Sequence, residues 1–290
     1  MLSSPSTSWP RSWKETWAEG SAGNTCPAGR HKGDSMPEYQ HIGLELFWQE
    51  AFKVLERILQ TQAEAIRRAA LLFADCIEKN GVIQVYGTGH SRALAMELAG
   101  RAGGLVPVNR IDLEDLALDA AQWPLERVRK PEIERDLVAG QAILACYRIE
   151  APDVFLIASN SGVNAAIVEV AQRAKEHGHE LVALTSLEHT QRMKSRHPSG
   201  KKLYEYADIV IDNCGPFGDT LLELPGGGKA CSISSLSGVL IEQMLTAETI
   251  GNLLTRGIDP PIFISANVPG GIEQGEKLRQ RYAGRINYCW

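Results

Sequence analysis

The chain has 290 residues, 44% of them apolar, with 30 Lys and Arg against 35 Asp and Glu, a formal charge of −5 and a pI near 5.9. That length accommodates one large domain or two small ones around a sizeable core, and the acidic balance offers no general attraction to nucleic acid or to an anionic membrane. Apolar runs fall well short of the roughly 18 residues of a membrane span, and the cysteines at 26, 76, 146, 214, 231 and 289 form no close pair, which argues against a disulfide framework or zinc ribbon and fits thiols in a reducing cytosol.

Residues 1–35 differ in composition from the rest of the chain. They hold four basic and three acidic side chains and three tryptophans, Trp9, Trp13 and Trp17, but only Met1 and Leu2 as aliphatics. Such a segment cannot offset its ordering entropy by burial. It is expected to be a disordered extension, with the working polypeptide running over 36–290. The four-residue spacing of the tryptophans would also suit an interfacial helix, but Pro10, Gly20 and the mixed charge make a bland tail the better reading.

From His41 to Asn80 apolar residues recur at helical spacing, among them Phe47, Val54, Ile58, Ile66, Leu72, Phe73 and Ile77, predicting one long helix or two abutting ones. Asn80-Gly81 suits a left-handed cap, and Val82–Tyr86 is a short β-branched strand. Further strands are expected at 105–108, 154–159, 181–185 and 208–212. Helices are expected at 92–101, about 133–148, 164–177 and about 236–254. Alternation of this kind predicts an α/β fold, a doubly wound parallel sheet with helices on both faces. Ligands on such sheets bind beyond the carboxyl ends of the strands, where the winding reverses. The stretch from Asn109 to Pro131 reads as an insertion, either a lid or a dimer arm.

Two strand ends carry chemistry. The first runs into Gly87-Thr88-Gly89-His90-Ser91, which lacks the third glycine of a dinucleotide fingerprint and the Gly-Lys-Ser/Thr of a Walker loop. The third runs into Ser159-Asn160-Ser161-Gly162-Val163-Asn164. A helix cap needs one short polar residue, and this loop has four. Two such turns side by side can wrap a phosphate monoester with neutral donors and helix dipoles.

These two segments resemble the phosphosugar-binding signatures of the SIS, or sugar isomerase, domain family. The segments 185–190, 195–208 and 265–271 are similar to a bacterial branch of that family related to phosphoheptose isomerase, and the resemblance spans about Tyr39 to Ile286. It implies a five-stranded parallel sandwich behind a long N-terminal helix, a cytoplasmic homo-oligomer (dimer or tetramer), and a sugar phosphate as ligand. Carried over by position, Ser91, Ser159, Ser161 and Asn164 would hold the phosphate, with Gly89, His90 and Asn160 lining the pocket. Asn164 could equally cap its helix.

The implied activity is aldose–ketose isomerisation, with a phosphosugar lyase or etherase and a non-catalytic phosphosugar sensor as alternatives. Isomerisation needs a base for the proton beside the carbonyl and a partner that moves protons between oxygens. Members similar to phosphoheptose isomerase carry a histidine six residues and a glutamate ten residues after the signature serine. Here those positions are Glu97 and Arg101, so a metal-independent site without cofactor is expected, with Glu97 as base and His90 as proton carrier. Glu97 could instead only pair with Arg101. The basic run His189, Arg192, Lys194, Arg196, His197, Lys201 and Lys202 reads as a solvated loop or as a cover over an anionic ligand.

Overall fold

The computed structural model describes residues 42–287. The expected extension over 1–35, with its three tryptophans, lies outside them. The first helix, α1, runs unbroken over Leu44–Glu78 and buries Ile58, Ile66, Ala69, Phe73 and Ile77. Asn80, at a φ of 59°, turns the chain in the left-handed region, as the Asn-Gly pair requires. There follow β1 (Ile83–Gly87), α2 (Arg92–Leu98), β2 (Val108–Ile111), α3 (Leu125–Val128), α4 (Leu137–Ile143), β3 (Val154–Ala158), α5 (Ala165–Glu176), β4 (Glu180–Thr185), α6 (Leu187–Arg192) and β5 (Ile209–Asp212). The chain ends with the hairpin β6 (Thr220–Glu223) and β7 (Lys229–Ser232), then α7 (Ser234–Thr255) and α8 (Gly271–Arg281).

The five strands form one sheet in the order β2-β1-β3-β4-β5, parallel throughout. The three central strands, β1, β3 and β4, are short and almost wholly buried, as strands covered on both faces must be. On one face α1, α2 and α7 pack over Ile83, Val85, Leu156, Val182 and Leu184. On the other, α4 and α5 pack over Tyr86, Phe155, Ile157, Leu181 and Ala183. The doubly wound sheet is therefore as expected, and its winding reverses between β1 and β3. The register sets Gly87 beside Ala158, so the two polar loops leave the sheet at one level. Among the described residues no helix is long and apolar enough to cross a membrane.

Three expectations change. The second strand occupies 108–111 instead of 105–108. Pro107 has no N–H to place in a ladder, and Leu105 and Val106 pair instead with the 261–263 segment, where the Val106 N–H reaches the Pro261 carbonyl at 2.7 Å. The stretch 109–131 is not an appendage. It opens with β2 and continues as short helical turns that bury Leu113, Leu116, Trp123 and Val128 on the sheet. The expected helix over 133–148 is cut into α4 and flanking 3-10 turns, because Asp136 caps a new helix start by accepting from the Val138 N–H at 2.9 Å. The hairpin β6–β7 and the helices α6 and α8 complete the fold beyond what periodicity alone indicates.

Candidate functional site

Beyond the carboxyl ends of β1 and β3 lies a cavity of about 800 Å³. Its first wall is the turn after β1. Gly87 is needed there because a Cβ would stand 2.4 Å from the Ser91 carbonyl oxygen, and Gly89 sits at a φ of 55°. That tight turn brings His90 and Ser91 to the cavity ahead of α2. The second wall is the turn after β3. Ser159 is buried, and its Oγ accepts the Gly162 N–H at 3.1 Å. Asn160 is pinned through its side-chain oxygen, which accepts from Asn213 Nδ2 at 2.9 Å. Gly89, His90, Ser91, Ser159, Asn160, Ser161 and Asn164 all line this one cavity.

Asn164 stands at the start of α5 yet makes no capping bond. Its Oδ1 instead accepts from the Arg196 guanidinium. The side chains of Ser91 and Ser161 have no hydrogen-bond partner among the described residues, and they face the cavity beside the amino terminus of α5. A third helix contributes as well. α7, 22 residues long, begins at the cavity with Ser234 and Ser235. Asp219 holds that start by accepting the Ser234 N–H at 2.8 Å and the Ser234 hydroxyl at 2.7 Å. The sequence signal was available in Ser232-Ile233-Ser234-Ser235, another hydroxyl-rich run from strand to helix.

The remaining wall comes from the β2–α4 connection and from α6. Four acids (Asp112, Glu114, Glu134, Asp219) and three bases (Arg92, Arg129, Lys130) line the cavity, so it is not a basic pocket. Arg92 is already engaged by Asp112 at 2.6 Å and Glu114 at 2.8 Å. Any anion here relies mainly on hydroxyls, backbone N–H groups and the termini of α5 and α7. Glu134 is held against the first turn, its Oε2 accepting from Thr88 Oγ1 at 3.2 Å. His189 accepts the Gly218 N–H on Nδ1 at 3.0 Å and stacks on Phe217, with ring centroids 5.1 Å apart. A neutral ring so bonded carries its proton on Nε2. Burial holds the imidazole below the usual histidine range, against the opposing pull of Asp219.

The expected base, Glu97, does not reach the cavity. It pairs with Arg101 and accepts from Gln243 Nε2 at 3.4 Å. Six residues beyond Ser91 on a helix, it is rotated away from the loop it was expected to serve. The basic run is largely a solvated stretch, with Arg192, Lys194, Arg196 and Lys201 exposed, and it does not cover the cavity. Arg196 fastens to Asn164 and to the Val163 carbonyl, and Lys202 donates to the Thr190 carbonyl at 2.8 Å. His197 is buried against Glu169 at 2.8 Å. Burial works against the Glu169 charge, but His197 and Arg173 outweigh it and hold the carboxyl below the usual range. Of that run only His189 lines the cavity. Among the described residues no three His, Cys, Asp or Glu side chains are grouped so as to hold a metal ion.

The SIS domain family profile matches residues 46–186. A UPF0309 protein of Listeria monocytogenes is 40% identical over 243 residues, covering 83% of this chain and 97% of its own length. A UPF0309 protein of Caldanaerobacter subterraneus is 41% identical, covering 84% and 99%. Among solved structures, a phosphoheptose isomerase from Francisella tularensis aligns at 15% identity and a TM-score of 0.48, covering 70% of this chain and 94% of its own; that likeness is too low to bear on function.

Proposed function

This chain belongs to the UPF0309 proteins and carries a SIS domain, and we propose that it binds a sugar phosphate and interconverts its aldose and ketose forms. The observation that supports this is the meeting of two hydroxyl-rich strand-to-helix turns at the switch point of the sheet, joined by the start of α7, in one cavity with a carboxylate and a neutral histidine. Ser91, Ser159, Ser161 and Asn164 hold the phosphate, with Gly89, His90 and Asn160 around it. Glu134 takes the proton from the carbon beside the carbonyl and returns it to the neighbouring carbon. The Nε2–H of His189 bonds the carbonyl oxygen as negative charge develops there, and His90, on the phosphate side, moves protons between the oxygens. Glu134 replaces Glu97 as the base because it lines the cavity and Glu97 does not.

A thermal-shift screen of the whole protein against hexose, heptose and amino-sugar phosphates tests the binding step. A ligand at a hundred times its Kd stabilises by about 2.7 kcal/mol. Absence of a shift with every member of the panel overturns the reading. For ligands that do shift, turnover by the wild type and its loss in Glu134→Gln with affinity retained support an isomerase. Binding without turnover by the wild type leaves a sensor instead.

A further inference from the structure

A second cavity, of about 320 Å³, opens at the amino ends of β3 and β4, on the sheet face that α4 and α5 cover. The way the chain leaves α5 makes one side of it. Arg173 and His177, four residues apart, share one side of the last helical turn, and Gly178, at a φ of 81°, turns the chain so that His179 lines the same space ahead of β4. Leu144, Tyr147 and Ile149, from the connection between α4 and β3, form the other side. The floor is Phe155, fully buried, with its ring centroid 5.4 Å from that of His179.

The polar groups on this apolar space keep bonding capacity in hand. His179 is only 7% exposed, and its Nδ1 bonds the Asp153 carbonyl at 3.0 Å. A carbonyl only accepts, so the proton sits on Nδ1 and the Nε2 of the neutral ring is an acceptor, one that meets no partner among the described residues. His177 repeats the arrangement, its Nδ1 donating to the Arg173 carbonyl at 2.7 Å. Arg173 donates from Nε to Glu169 at 2.7 Å, and its Nη groups donate to no described residue. Tyr147 has its hydroxyl committed to Asp115 and offers only its ring.

The charge balance selects a neutral ligand. Glu169 already meets the Arg173 charge, and the carboxyl end of α5, with its partial negative charge, opposes an anion. A cation would stand against the guanidinium. The volume lies at the lower end of small-molecule sites, enough for one or two fused rings. We propose that this cavity binds a neutral heteroaromatic ring system of purine size that carries N–H donors and a ring carbonyl. The ring lies against Phe155 and His179, an N–H donates to His179 Nε2, and the carbonyl oxygen accepts from Arg173. No residue lines both this cavity and the one beyond the carboxyl ends of the strands, so the site does not depend on what that one binds.

Titration calorimetry of the full chain at neutral pH tests it with hypoxanthine, which has both groups, and with purine, which keeps an N–H but has no carbonyl. Hypoxanthine should bind once per chain with a Kd below about 1 mM. Purine should bind at least about tenfold more weakly, the worth of a hydrogen bond to a charged group. Ala145→Trp, which fills the cavity from an exposed lining position, should abolish binding with unchanged far-ultraviolet circular dichroism. Arg173→Met should bring hypoxanthine down to the affinity of purine, a loss of selectivity that breaking the Glu169 pair does not by itself produce. Should that variant not fold, Ala145→Trp and the two ligands on the wild type decide. Hypoxanthine that does not bind overturns the proposal, as does binding that survives Ala145→Trp or fails to favour hypoxanthine over purine.

Discussion

The two ends of the sheet are both rich in polar side chains, but they use them in opposite ways. At the amino ends of the strands Asp153 is buried and fully engaged. Its carboxylate accepts from the Val82 N–H, Gln84 Nε2, the Glu150 N–H and the Arg285 guanidinium. Gln84 in turn accepts from Asn109 Nδ2, and the Asn109 side chain accepts the Asn287 N–H. This closed network fastens the last turns of the chain to the middle of the sheet. At the carboxyl ends Ser91, Ser161 and the Ser235 hydroxyl are left without protein partners among the described residues and line an open cavity. Buried polar groups that satisfy one another specify structure. Polar groups gathered at helix termini with bonding capacity unspent are placed to meet a ligand.

The largest effect should come from breaking the closed end. Asp153→Ala takes the shared acceptor from Gln84, the Val82 N–H and the Arg285 guanidinium, which is only 10% exposed and keeps Glu150 at 3.3 Å and the Asn80 carbonyl at 2.8 Å. Breaking one side of a buried ion pair costs about 3–5 kcal/mol, so the urea midpoint at pH 7 should fall steeply. A loss below about 1 kcal/mol would undo the contrast between the two ends.

Glu242 sharpens the comparison from a third position. It is fully buried in α7, both its carboxyl oxygens lack partners among the described residues, and burial pushes its pKa up to about 9. It is thus a polar group that is unsatisfied but not open to a ligand. Glu242→Met should stabilise the protein by about 1–3 kcal/mol at neutral pH, the usual cost of an unpaired buried polar group. Because the folded carboxyl keeps its proton to higher pH than the unfolded one, whose ordinary value is 4.5, the wild type loses stability as pH rises from that value towards 9. Urea titrations at pH 5, 7 and 9 should show the gap to Glu242→Met widening with pH. A constant gap would mean that the carboxyl finds a partner after all.

The smallest change in stability should be at the open end. Ser161→Ala is expected to shift the urea midpoint by no more than about 0.5 kcal/mol while weakening the affinity for a stabilising sugar phosphate roughly tenfold, the worth of a hydrogen bond to a charged group. Equal losses in stability and affinity would assign Ser161 to the structural class with Asp153. Titration calorimetry beside thermal unfolding separates the two outcomes.

How much of this was legible beforehand follows from how far each feature depends on distant parts of the chain. The run Val82–Tyr86, the cap at Asn80-Gly81 and the helix starts after Gly87–Ser91 and Ser159–Asn164 are set by neighbours a few residues away, so α1, the central strands and both polar turns could be read directly. Pro107 moved one strand by three residues, and Asp136 divided one helix, each for a local reason that apolar periodicity does not register. By itself the sequence determined the doubly wound sheet and the two loops that meet where its winding reverses.

Tertiary structure alone decided which acids and imidazoles stand beside those loops. Glu97, adjacent in sequence, is turned away by the pitch of α2 towards Arg101 and Gln243. Glu134, His189, Asp219 and Ser234 arrive from four separate stretches because the sheet order returns each of them to the same end of the strands. Nearness along the chain sets backbone conformation, whereas nearness in the cavity depends on helix rotation and strand order, which no local pattern of residues records.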